Sequence, residues 1–117
     1  MGTLNRTVAI VKSRSGAQIR LMERQWKHII TARPQLEDFQ DEILKTIEDP
    51  DEVYAPPPRV RPQLHALKKF RLLRNVGLNE NLVVVYREIS PREGFIITAF
   101  PISDIRRRRI HRLWRRL

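Results

Sequence analysis

The stretch Asn81–Ile102, NLVVVYREISPREGFIITAFPI, constrains the fold more than any other part of the chain. Two β-branched apolar runs, Leu82–Ile89 and Phe95–Phe100, flank the turn-forming insert Ser90–Gly94. That is the pattern of a β-hairpin. With Ser90–Gly94 as the loop, Ile89 faces Phe95 and Tyr86 faces Thr98. Cross-strand neighbours share a face, so Val83, Val85, Phe95, Ile97 and Ala99 are expected on a core face interrupted by Arg87. Val84, Tyr86, Glu88, Ile96, Thr98 and Phe100 fall on the other, where hydroxyls stand amid apolar groups. The assignment hangs on loop length, because a one-residue slip turns every side chain over.

A lone hairpin is marginal in water and needs partners. Arg6–Lys12 and Ile19–Leu21 read as short strands around a turn at Ser13–Gly16, and Val53–Ala55 as a third brief one. Leu64–Leu73 holds good helix formers, yet its alternation assigns it to a strand. Helical spacing begins at Met22, where Met22, Trp26, Ile29 and Ile30 fall in one stripe. Pro34 closes that helix or opens the next. A second helix is expected over Gln35–Ile47, with Leu36, Phe39, Ile43, Leu44 and Ile47 facing inward. Pro56-Pro57-Pro58 is a stiff spacer. Ser103 caps a last expected helix, in which Ile110, Leu113, Trp114 and Leu117 stripe a row of arginines. The expected fold is α+β: two N-terminal helices packed on a roughly four-stranded antiparallel sheet, with a basic C-terminal helix. Residues 1–103 make the single domain and 104–117 an Arg-rich helix or tail.

The charge balance narrows function. Lys and Arg number 23 against 13 Asp and Glu, a net charge of +10, which points to a polyanionic partner. The segment 104–117 carries +6 of this, leaving +4 for the other 103 residues. Nucleic acid is the first expected partner, RNA before DNA; an acidic protein or an anionic membrane surface ranks behind. There is no Cys, which excludes disulfides and thiolate metal sites. No run approaches the roughly 20 apolar residues of a membrane span, and the N-terminus has no signal-peptide core, so a cytoplasmic protein is expected. The cluster Asp49, Asp51 and Glu52 reads as a solvated turn rather than a metal site, since no His joins it. No metal or cofactor is expected.

Several of these residues form a recognisable set. Leu21-x4-Trp26-Lys27-His28-Ile29, Arg33-Pro34-Gln35-Leu36, Ile43, Thr46-Ile47, Pro50-Asp51, Leu82–Tyr86 and Gly94-Phe95-Ile96-Ile97-Thr98-Ala99-Phe100 resemble small bacterial and phage proteins of the barnase/EndoU/colicin/RelE-like (BECR) nuclease fold. The resemblance spans about Ile19 to Arg109 and implies two helices before a four-stranded antiparallel sheet. It also implies metal-independent RNA cleavage by 2′-OH attack, often in toxins held by an antitoxin. The family's first helix carries W-x-H-I and then H-P-E-L. His28 matches the first histidine, whereas Arg33 and Gln35 replace the second histidine and the glutamate. Thr98 matches a hydroxyl residue of the last strand.

Cleavage without a metal needs a proton acceptor for the 2′-OH, a donor for the leaving oxygen and cations for the charged intermediate. His28 suits either proton task. Arg33 stays protonated but forks onto phosphate. Tyr86 and Thr98 offer hydroxyls, and these four form the candidate catalytic set. Lys69 and Arg71 are candidate phosphate contacts, with His65 of the same segment a second proton carrier. In the tail, Arg106, Arg107, Arg108, Arg109, Arg112, Arg115 and Arg116 are candidate nucleic-acid ligands, with Trp114 to stack a base. Each also fits a plainer role: His28 a solvated helix face, Tyr86 and Thr98 ordinary strand packing. A metal-independent ribonuclease, of toxin or phage type, is the first expectation; the alternative is a non-catalytic nucleic-acid-binding or regulatory protein on the same scaffold, which the Arg33 and Gln35 departures favour. A helix-turn-helix is weaker, because Glu37, Asp38, Asp41, Glu42 and Glu48 face a single Lys on the second helix.

Overall fold

The computed structural model describes residues 4–55 and 63–103, and the backbone of 111–115. The chain opens with strands β1 (Thr7–Lys12) and β2 (Gln18–Met22), then helix α1 (Glu23–Ala32), a 3-10 segment (Pro34–Phe39) and helix α2 (Gln40–Glu48). Strands β3 (Glu52–Ala55) and β4 (Leu64–Lys69) follow, then a second 3-10 segment (Arg71–Val76), β5 (Asn81–Glu88), β6 (Glu93–Ile102) and β7 (His111–Arg115). Among the described residues these form one seven-stranded sheet in the order β1-β2-β6-β5-β4-β3-β7. The α+β class holds, but the sheet is larger than the expected four strands and is mixed. β2 runs parallel to β6, pairing Gln18 with Glu93, Ile19 with Gly94 and Arg20 with Phe95. A parallel pair joins segments far apart in sequence, so no local pattern announces it.

The hairpin forms with a different register. Ile89 N–H and Ser90 N–H both donate to Glu93 O (2.9 and 3.2 Å). Ser90 Oγ accepts from the N–H groups of Arg92 and Glu93 (3.1 and 3.2 Å). This side-chain turn shortens the loop, so that Glu88 pairs with Gly94 and Arg87 with Phe95. A shift by two residues preserves the faces. A bulge between Val85 and Tyr86 then changes them, because Tyr86 pairs with Ile96 but Val85 with Thr98. Thr98 and Phe100 therefore leave the face expected for them, and Ala99 joins the opposite one.

Two apolar clusters result. The larger lies between sheet and helices, where Ile19, Leu21, Leu82, Val84, Tyr86, Ile96 and Ala99 meet Ile29, Leu36, Ile43 and Ile47. On the outer face Tyr54, Leu67, Val83 and Val85 pack with Ile97, Phe100 and Ile102.

The first helix starts where the strand ends, at an extended Met22. Its N-terminal donors are met by the segment before β1: Glu23 N–H donates to Arg6 O (2.7 Å) and Arg24 N–H to Asn5 Oδ1 (3.0 Å). Glu23 and Lys27 pair along it at 3.1 Å. The expected second helix is two pieces, since Leu36 and Phe39 both reach the core from a 3-10 segment opened by Pro34. Residues three apart eclipse in that geometry, and the chain re-enters α form at Gln40. Likewise β4 stops at Lys69, and the expected strand through Leu73 becomes a 3-10 segment that turns Leu73 into the core. The expected C-terminal helix is corrected at His111–Arg115, which forms β7 antiparallel to β3. The open edge of β3 supplies backbone partners that outweigh the helical spacing of the apolar residues.

Candidate nucleic-acid interface

The residues expected to form a cleavage site are dispersed. His28 is exposed on α1 beside the buried Ile29. Arg33 ends that helix, its guanidinium 5.7 Å from the centre of the Phe100 ring, within cation–π reach. Tyr86 is 3% exposed inside the helix-side core. Burial first, and then the Glu88 carboxylate, drive its phenol well above the ordinary 10.0, with Arg14 opposing. It keeps its proton at neutral pH and cannot act as a base there. Thr98 stands with Val85, a member of the outer cluster, so the sheet separates the two hydroxyls that the sequence put on one face. His65 pairs with Val85 and Tyr54, on a strand that β5 separates from β6.

Lys69 Nζ faces Glu80 Oε2 at 3.3 Å, and its backbone N–H donates to Asp51 Oδ2 (3.0 Å). Arg71 is exposed in the 3-10 segment after β4, not on the strand it was expected to share with Lys69. Arg106–Arg109 and Arg116 lie outside the described residues, and Arg112, Trp114 and Arg115 are described only as backbone of β7. The Asp49 and Asp51 carboxylates face Lys68 Nζ at 3.4 and 3.5 Å, with the Lys68 side chain 17% exposed. That contact gives the acidic cluster a charge partner within the fold. Among the described residues no His/Asp/Glu group has the arrangement to hold a metal.

The raised phenol has a consequence for stability. A group whose folded pKa exceeds its unfolded one stabilises the fold below the unfolded value, near 10, and loses that contribution as pH climbs further. Urea unfolding of the wild type is therefore expected to weaken between pH 9 and pH 11, and Tyr86→Phe to flatten that decline. Equal slopes in the two proteins would dissociate the alkaline loss from this residue.

A different set of side chains does converge. Strand register aligns Ile10 of β1 with Arg20 of β2, Arg20 with Phe95 of β6, and Phe95 with Arg87 of β5. Gln63, just before β4, extends the row in the register of that strand. The outer face thus carries an aromatic ring flanked on both sides by guanidinium groups. Phe95 is 36% exposed and Ile10 53%. Arg20 Nη2 rests on Glu93 Oε1 at 3.2 Å, both side chains open to water. Above the row lies a cleft of about 510 Å³, lined by Asn5, Arg20, Gln25, Gln63, Arg87 and Phe95. Met22 and Ile97 complete its apolar wall. Gln25 Oε1 and Arg87 Nε are shielded from water and have no hydrogen-bond partner among the described residues.

Sequence reasoning saw Arg87 only as an interruption of an apolar face and passed over Arg20. The usable signal was the charge itself, an arginine on the apolar parity of a strand. Arg20 and Arg87 become neighbours of one ring only through the parallel β2–β6 pair. Chemically, the row offers a π-face for a planar base and two forks for phosphate oxygens. No protein-family profile matches the chain, and neither a characterised protein nor a solved structure is significantly similar to it.

Proposed function

We propose that this protein binds single-stranded nucleic acid, RNA in the first instance, and does not cut it. The observation that carries the reading is the Arg20–Phe95–Arg87 row across three adjacent strands. Proteins that hold single strands combine cationic tracks with aromatic platforms on which unstacked bases lie. A sheet face suits this because side chains two residues apart along a strand stand on one level. The net charge of +10 adds the long-range attraction that brings a polyanion to such a face. Cleavage has less support: Tyr86 is buried, Thr98 lies across the sheet from it, and among the described residues the register places no second proton carrier with the exposed His28.

Labelled RNA incubated with the protein in EDTA tests both halves. Full-length RNA should persist, with binding seen by fluorescence anisotropy and weakened by salt, and His28→Ala should change neither. Cleavage that disappears in His28→Ala would instead establish the nuclease implied by the BECR resemblance. Absence of binding to RNA alongside binding to anionic vesicles would move the partner to a membrane surface.

A further inference from the structure

We infer that the cleft beside Phe95 holds one nucleoside monophosphate unit, its base stacked on Phe95 and its base edge bonded by Gln25 and Arg87. This rests on the nucleic-acid reading and specifies how a single nucleotide is seated.

Three features of the cleft lead there. The first is the pair of unsatisfied atoms. Buried polar atoms nearly always have partners, and the exceptions mark strain, function or a missing ligand. Here one is an acceptor, Gln25 Oε1, and the other a donor, Arg87 Nε–H, and both residues line the same cavity. Once the two side chains turn toward the cleft, the ligand that completes them presents a donor and an acceptor together, as the edge of a nucleobase does. Asn5 also lines the cleft, with its Oδ1 accepting the N–H of Arg24.

The second feature is the floor and wall. Phe95 gives a partly exposed aromatic face, and Met22 and Ile97 an apolar side, so a flat, apolar-faced ring is favoured over a sugar or an aliphatic acid. The third is the mouth. Arg20 sits at its rim, held by Glu93, which is itself half-exposed; a phosphate displaces that surface carboxylate at little cost. At about 510 Å³ the cleft falls in the size range of small-ligand sites, enough for one splayed nucleotide.

The nucleotide is either one residue of an RNA strand or a free monophosphate, and the test separates them. Two decanucleotides of equal charge, oligoadenylate and a fully abasic strand, are titrated against wild type and Gln25→Leu, together with free AMP and CMP. Thermal unfolding of the variant establishes that it is folded. Arg87→Lys, which keeps the charge but removes Nε, is the second variant. The wild type should prefer the base-bearing strand by about a hundredfold, with stacking on Phe95 and the base-edge hydrogen bonds each contributing on the order of tenfold. Gln25→Leu should lose about tenfold of that preference while holding the abasic strand as before, and Arg87→Lys should lose a similar part of it. Equal affinity of the wild type for the two strands overturns the single-nucleotide seat and leaves RNA binding intact. If neither strand binds, RNA binding falls, and the free nucleotides decide. Uptake of AMP or CMP that Gln25→Leu abolishes supports the seat, and no uptake overturns it.

Discussion

Exchanging Phe95 for alanine should weaken single-stranded RNA binding about tenfold to a hundredfold, the loss expected when one base loses its stacking partner. Phe95 is 36% exposed, so a thermal melt of the variant accompanies the titration and separates loss of fold from loss of ligand. Phe95→Leu restores apolar area without a π-face and should recover only a minor part of the affinity. The flanking arginines act differently. Each phosphate they hold contributes about 0.7 to the slope of log affinity against log salt for a single strand. The double variant Arg20→Ala/Arg87→Ala should therefore bind more weakly and flatten that slope by roughly 1.4. Anisotropy titrations at three salt concentrations read both quantities. Unchanged affinity in Phe95→Ala, with an unchanged slope in the double variant, would detach RNA from this face.

Gly94→Ala should be the most damaging small substitution on the sheet. Gly94 pairs with Glu88 on one side and Ile19 on the other, so it sits between two hydrogen-bonded strands. A methyl group there would overlap the Arg87 carbonyl oxygen and stand 2.9 Å from Glu88 Cα. Both are backbone atoms of β5, and no rotamer change relieves the contact. Overpacking of this kind costs about 3 kcal/mol or more, which for a domain of this size lowers Tm by on the order of 10 °C. Gly16→Ala makes a useful contrast: its φ is +94° but a Cβ there meets open space, so only backbone strain of about 1 kcal/mol applies. Thermal melts by circular dichroism should rank the two in that order. A Gly94→Ala protein that melts within a few degrees of wild type would show that β5 and β6 pair differently.

Much of the secondary structure was legible because it is local. The alternation of Leu82–Ile89 and the Ser90-Pro91 turn announce the hairpin, and the Met22/Trp26/Ile29 spacing announces α1. What escaped is non-local or spacing-degenerate. Nothing in Ile97-Thr98-Ala99 marks a bulge, yet that one extra residue sends Thr98 away from Tyr86 and splits the expected catalytic pair. Leu36 and Phe39, three apart, serve a 3-10 turn as well as an α-helix. The tail's apolar spacing also allows a strand, and a neighbouring edge decided it for His111–Arg115. The candidate interface was the least legible part, since Arg20 and Arg87 acquire a common neighbour only when β2 pairs with the distant β6.

Under the proposed nucleic-acid reading, that pairing makes ligand capture a late event in the life of each molecule. A polypeptide still emerging from the ribosome displays Arg20 early but has no Phe95 to set beside it, and an isolated N-terminal fragment never completes the platform. Closing so long a loop before its contacts repay the entropy slows assembly. The bound strand in turn favours the finished form by mass action. RNA should therefore act as a clasp that raises the melting temperature of a chain containing both β2 and β6 and leaves a fragment that stops before β6 unaffected.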